Sequence, residues 1–245
     1  MKSLTNIEKV LKVKCEIDFL FFTRYIYKEN QRRNFIIAPH FVIIAKALEK
    51  VYNGETKRLI INIPPRYGKT ELAVKCFIAW SLAKNPQSKF IHLSYSSDLA
   101  LDNSSQTKQY IESDAFQSLW EMQLKQDAKG KQKWFNTDGG GVYATASGGA
   151  ITGFGAGVAE SKEFAGAIII DDPLKPDDAN SEVKRKAVNE RYNSTIRSRV
   201  NDRETPIIVI MQRLHEEDLS GFLLNGGSGE EWEHLCLPAL NELNE

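Results

Sequence analysis

The stretch from Arg58 to Lys84, "RLIINIPPRYGKTELAVKCFIAWSLAK", constrains this chain more than any other. "RLIINI" is a short, branched apolar run of the kind that forms a strand buried on both faces. "TELAVKCFIAWSLAK" carries apolar residues at helical spacing and stops at Asn85-Pro86, since proline pushes the preceding residue out of helical conformation. Between them "IPPRYGKT" ends in Gly68-Lys69-Thr70, the ending of the phosphate-binding pattern G-x-x-x-x-G-K-[ST], but with Ile63 where the first glycine belongs. By composition alone, a G-K-[ST] tripeptide has a probability on the order of 0.1 in a chain of this length. Its place at the end of a strand and the start of a helix is what the chemistry requires. There the amides of residues 66–70, those of Arg66, Tyr67 and Gly68 among them, can point at phosphate oxygens with the positive end of the helix behind them. Pro64 and Pro65 lack N–H donors, but the donors needed come later. Lys69 would reach the β and γ phosphates of ATP, and the Thr70 hydroxyl would take a magnesium position.

"AIIIDDP", ending at Pro173, supplies a second half-site. A buried apolar strand that runs into carboxylates is where a phosphate-loop enzyme places its magnesium-holding acid, assigned to Asp171. Asp172 then stands where many such ATPases have Glu, as the base orienting the attacking water. Taken alone, the two acids could equally cap a turn before Pro173; the phosphate loop earlier in the chain favours the catalytic role.

The remaining periodicities alternate. Helices are expected over 39–53, 97–113 (capped by Ser97 or a neighbour) and 181–200, and strands over Lys89–Tyr95, Gly166–Pro173 and Thr205–Met211. Between 114 and 165 the pattern loosens. "KWFN" and "VYATA" flank the turn-rich "TDGGG", which predicts a hairpin, and "SGGAITGFGAG" is too glycine-rich for regular structure. Strands separated by helices imply an α/β fold with a mostly parallel sheet covered on both faces, its ligand at the carboxyl ends of the strands.

The 245 residues, 42% hydrophobic, suffice for one substantial core. No apolar run reaches membrane-spanning length, and charges interrupt the amino terminus where a signal core would lie, so a cytoplasmic location is the default. Cys15, Cys76 and Cys236 are few and scattered, and are read as buried thiols. The net charge is zero, yet no Lys or Arg follows Arg213 while eight acids do, leaving 32 basic against 24 acidic residues before them. A basic body of this kind favours phosphate backbones, or is simply a solvated surface.

Six blocks in order, "LIINIPPRYGKTELA", "SYSSDLA", "GGAITGFGAG", "IIIDDPLKPDDANSEVKRKAVNE", "STIRSRVND" and "IVIMQRLHEEDLSG", resemble the ATPase domain of the large terminase subunit of tailed bacteriophages and prophages. The resemblance covers roughly residues 35–240. It implies a P-loop NTPase of RecA-like (ASCE) type with a small N-terminal helical, lid-like segment. The expected divisions are 1–57 for that adenine-side segment, 58–225 for the ATPase core, and 226–245 for an acidic tail beginning the linker to an absent nuclease domain. The implied activity is magnesium-dependent ATP hydrolysis driving double-stranded viral DNA into a procapsid, in the cytoplasm of a bacterial host and without nuclease activity.

Carried over by position, Arg66, Gly68, Lys69 and Thr70 match the family loop P-P-R-x-G-K-[ST], and Asp171 and Asp172 match its acids. Gln212 matches a γ-phosphate sensor, and His40 lies where an adenine-side residue is often found. The implied partners are duplex DNA, gripped by its phosphates through Lys184, Arg185, Lys186, Arg191 and the 147–157 loop, together with a portal protein and a small terminase subunit. Assembly into a homo-oligomeric ring is implied, the isolated chain being able to exist as a monomer. One departure stands out: Phe154 occupies the position where many relatives carry Arg in T-G-R-G. A cation acting on a neighbour's γ-phosphate would then be Arg199 or Arg197, ahead of Lys162 or Arg213. The alternatives are a helicase-like DNA translocase and a nucleotide-binding assembly module that does not hydrolyse ATP.

Overall fold

The computed structural model describes residues 4–239, without the side chains of 127–129; the last six residues of the expected acidic tail, 240–245, and Met1–Ser3 of the N-terminal segment lie outside the described residues. The chain begins with three helices, α1 (Asn6–Ile17), α2 (Phe19–Gln31) and α3 (Pro39–Tyr52), followed by β1 (Arg58–Asn62). After the loop come α4 (Phe77–Lys84), β2 (Lys89–Ser94), α5 (Ser97–Glu112) and α6 (Asp114–Trp120). Strands β3 (Leu124–Lys129), β4 (Lys133–Asn136), β5 (Gly141–Ala146) and β6 (Ile168–Asp171) precede α7 (Glu182–Ser194), β7 (Ile207–Met211), α8 (Leu219–Leu224) and β8 (Glu233–Cys236). Among the described residues the eight strands form one sheet in the order β3-β4-β5-β2-β6-β7-β1-β8. Six of them, from β5 to β8, run parallel, while β4 and β3 extend the sheet antiparallel through the expected hairpin and one further strand. The arrangement is a mixed α/β fold with a multi-stranded sheet flanked by helices.

Side-chain alternation divides the central strands between two cores, as a period of two requires. Leu59, Ile61, Ile169, Ile208 and Ile210 face the core under α1 to α5. Ile60, Ile168, Ile170, Val209 and Met211 face the core under α7 and α8. With both faces covered, charged groups can reach solvent only where the chain leaves the sheet.

The structure corrects several expectations. The helix after the phosphate loop opens as a π-helical stretch, Glu71–Cys76, before α4 continues it. Helix 181–200 ends at Ser194 and tightens into a 3₁₀ turn over Ile196–Arg199. The N-cap of α5 is Ser96, the neighbour that the expectation allowed, but its side chain makes no capping bond. The region 226–239, expected within a tail, contributes edge strand β8, which is tied down by Arg58 to Glu230 at 2.7 Å and by the Thr56 hydroxyl to Glu233 at 2.6 Å. Because β8 is an edge, Cys236 is exposed, while Cys15 and Cys76 are buried as read. Among the described residues no helix is long and apolar enough to cross a membrane.

Trp80 joins the N-terminal helices to the sheet-covering layer. Its ring packs against Phe19 and Tyr52, with centroids 5.1 and 4.7 Å away, and its indole N–H donates to the Cys15 carbonyl at 2.8 Å. Trp80→Ala should destabilise the chain by about 3–5 kcal/mol in denaturant titration. Hydrogen exchange should show lost protection in α1 and α2 as well as α4; unchanged protection in α1 and α2 would mean that these helices are held by something else.

Candidate functional site

Strand β1 delivers the loop, and β6 delivers the acids, with β7 between them. At the loop, Arg66 and Gly68 adopt left-handed φ values of 67° and 70°. Gly68 suits that conformation, and it is also pressed from below, since an added Cβ would lie 2.8 Å from the Phe41 ring. The turn opens the loop so that the amides leading into the helix precede any helical acceptor and remain available to an anion. Pro64 and Pro65 sit ahead of this curl.

Lys69 and Thr70 cross to the acids. The Lys69 ammonium lies 2.8 Å from Asp172 Oδ1 and 2.7 Å from its Oδ2, and the Thr70 hydroxyl donates to Asp171 Oδ2 at 2.7 Å. Lys69 is only 6% exposed and Asp171 only 4%. A charge as enclosed as that of Lys69 requires an anionic partner, and Asp172 provides it. Asp172 itself has a φ of 45°, a conformation that aspartate tolerates better than most residues. Its backbone is clamped on both sides: its N–H donates to Ile210 and its carbonyl accepts from Tyr95, both at 2.9 Å.

Gln212 also reaches Asp172, but through its main chain: its backbone N–H donates to Asp172 Oδ1 at 3.2 Å. The next strand end is thereby linked directly to the lysine's counter-ion. Asp171 Oδ1 is buried with no hydrogen-bond partner. Burial, and then the Asp172 charge, push the Asp171 carboxyl up from 3.8 to about 7, against the opposing pull of Thr70 and Lys69. An orphaned, buried carboxylate oxygen beside a threonine hydroxyl is a fitting pair of ligands for a hard cation. Among the described residues no group of three or more His, Cys, Asp or Glu could hold a metal, so such an ion would draw its other ligands from phosphate and water.

His40 lies beside the loop, its Nε2 3.1 Å from the Tyr67 carbonyl and its ring packed on Phe41 and near Tyr67. The other predicted cations fall elsewhere. Arg197 donates to the Ser228 carbonyl, while the Arg199 carbonyl accepts from the Ala156 N–H and the Asn201 N–H donates to the Ala156 carbonyl, both at 2.8 Å. Both lie toward the amino ends of the strands, away from the phosphate loop of their own chain. Lys162 lines a cleft of about 670 Å³ at those same amino ends. Arg213 is held by Asp218 at 3.1 Å. Phe154, where the resemblance would put an arginine, is buried against Tyr143 and Phe135.

Sequence reasoning missed Asn62. Its side chain donates to the Met211 carbonyl at 3.1 Å and to the Ser220 hydroxyl at 2.9 Å, and its Oδ1 lies 2.8 Å from His234 Nε2. It thus ties the ends of β1, β7 and β8 together directly beneath the loop. The signal was present as the one polar residue within "LIINI".

No protein-family model matches the chain, and no curated protein matches it. Among solved structures it is similar to the crystal structure of the HK97 bacteriophage large terminase, with a TM-score of 0.55 and 13% identity. The match covers 89% of this chain and 44% of that one, so the chain spans less than half the length of that terminase. At this identity the likeness is one of fold.

Asp171 favours its protonated form in the folded state, so its stabilising contribution is present in full below the unfolded value of 3.8 and is lost as pH rises through about 7. Relative to Asp171→Asn, the wild-type melting temperature should therefore fall progressively between these two values and run parallel above them. A wild type that gains on the variant over the same interval would contradict this environment for Asp171.

Proposed function

We propose that this chain is the ATPase motor of a DNA-packaging terminase large subunit, hydrolysing ATP to move double-stranded DNA into a procapsid. The observation that carries the reading is the paired crossing of Lys69 to Asp172 and Thr70 to Asp171, on a sheet whose fold is similar to that of the HK97 large terminase. The substrate is ATP, bound with its phosphates on the amides of Arg66 to Thr70 and its base toward His40 and Tyr67. Arrival of the phosphates gives Lys69 a second anion and frees Asp172 from its ion pair. Asp172 then accepts a hydrogen bond from the attacking water and orients it in line. A magnesium ion held by Asp171 and Thr70 would neutralise charge developing on the β and γ phosphates.

Gln212 connects this exchange to motion. Its amide holds Asp172 while Lys69 does, so a change in the lysine's partner bears on the end of β7 and on the turn that enters α8. Arg66 is exposed at the loop's crest, where it can meet the γ-phosphate. Arg199 has its backbone paired with Ala156 and, among the described residues, makes no hydrogen bond or ion pair to this chain's own phosphate loop, so a role for it at a γ-phosphate requires a neighbouring subunit in a homo-oligomeric ring. Duplex DNA, a portal protein and a small terminase subunit are the partners this reading entails, and the bacterial cytoplasm its setting.

Phosphate release measured at high protein concentration with magnesium and ATP tests the enzyme reading. Lys69→Ala should abolish turnover, and Asp172→Asn should reduce it by about 10²–10⁴ while leaving nucleotide binding intact. A wild type without turnover would reduce the chain to a nucleotide-binding module. Arg66→Ala should lower kcat more than it raises KM; equal losses would make Arg66 a phosphate clamp only. Turnover should rise on adding duplex DNA irrespective of its sequence, and indifference to DNA would remove the packaging part of the proposal.

A further inference from the structure

We infer that the pocket between α7 and the turn after β6 is a second phosphate site, separate from the nucleotide loop but built onto the backbone of Asp172. The pocket has a volume of about 260 Å³ and is lined by Tyr95, Leu174, Lys175, Lys184 and Arg191 among others. Three cations face one acid there, Asp178, over a floor formed by Leu174 and Val188. Lys184 has no ion-pair partner among the described residues. Lys175 pairs with Asp177 at 2.6 Å, but both side chains are more than half exposed, so that pairing yields readily to a phosphate. Arg191 is fixed in place by the Gly149 carbonyl and the Thr195 hydroxyl, with its Nε buried and unpartnered.

The other basic residues of the same helix do not share this arrangement. Arg185 is buried, donating to the Ala179 carbonyl and to Glu217, each within 2.9 Å, and Lys186 is paired with Glu182 at 2.5 Å on the open face of the helix. A continuous basic helix face is thereby reduced to one cationic recess.

That recess shares its wall with the reaction centre. Tyr95 donates its N–H to the Asp172 carbonyl, and Ser147 donates its hydroxyl to the Pro173 carbonyl, both at 2.9 Å. An anion seated between Lys175, Lys184 and Tyr95 therefore bears on Tyr95, which holds the Asp172 carbonyl, and lies beside Ser147, which holds the carbonyl of the next residue, Pro173. The ligand is a phosphate group, either a phosphodiester of a nucleic-acid strand or the inorganic phosphate released by hydrolysis. The phosphodiester assignment rests on the packaging reading; the site itself does not.

The test is binding of a labelled short duplex by anisotropy, together with amide shifts produced by inorganic phosphate in nitrogen-15 spectra. It compares wild type, the double variant Lys175→Ala/Lys184→Ala, Lys186→Ala and Lys69→Ala. For a phosphodiester site, the double variant should weaken duplex binding on the order of ten-fold and lower the salt dependence by about two counter-ions, with Lys186→Ala close to wild type. For released phosphate, duplex binding stays unchanged, while phosphate-induced shifts at Ser147 and Gly148 disappear in the double variant and persist in Lys69→Ala. A double variant that alters neither, or a Lys186→Ala variant as weak as the double variant, overturns the pocket. Should the wild type fail to hydrolyse ATP while these differences hold, the proposed function falls and the phosphate site stands.

Discussion

Burial of β1, β6 and β7 on both faces is the constraint on which the rest of this structure depends. Strands flanked by two apolar layers leave no lateral position for a charge, so Lys69, Asp171 and Asp172 can exist only where the chain leaves the sheet. Parallel strands place all of those exits at one end. The strand order sets β7 between the loop strand and the acid strand, so the long lysine and the threonine on the following turn reach across it to two neighbouring carboxylates.

The same enclosure sets the electrostatics. Lys69 is almost wholly buried and needs an anion, while Asp171 is buried and avoids being one. Asp172 balances both: it neutralises the lysine, raises its neighbour's proton affinity and accepts the Gln212 amide. Any group that substitutes for Asp172 at Lys69 redistributes all three interactions at once. Asn62 braces this frame, because it joins β1 to the end of β7 and to α8 by buried hydrogen bonds and to His234 of β8 by a part-buried one.

Much of this was legible in the sequence because the informative features are local. "RLIIN" followed by Gly68-Lys69-Thr70, and "IIIDD" before Pro173, each specify a strand and its end within a few residues. The hairpin between β4 and β5 follows from turn residues in the same way. What stayed hidden depends on distant partners. Strand β8 carries little apolar signal, since three of its four residues are exposed, and it is held by Arg58 and Thr56 from the other end of the chain. Arg185 and Arg191 read as free cations on a helix, yet their partners are carbonyls and an acid that only the fold brings near. The π-helical turn at Glu71 has no local code either: Glu71 is bonded to Tyr110 of α5 and, at 2.9 Å, to Lys75. Assignment of Arg199 required knowing which end of the sheet it occupies, which periodicity does not report.

In the proposed function Thr70 and Asp171, joined by a 2.7 Å hydrogen bond, serve one cation at the phosphates. The measurement that bears on it most directly is calorimetric titration of a non-hydrolysable ATP analogue, with and without magnesium, into wild type, Thr70→Val, Asp171→Asn and the double variant. Magnesium should strengthen binding in the wild type, and each single change should remove most of that gain. The double variant should lose no more than either single one, because the two side chains serve the same ion. Equal affinity with and without magnesium in the wild type, or independent additive losses, would contradict the claim.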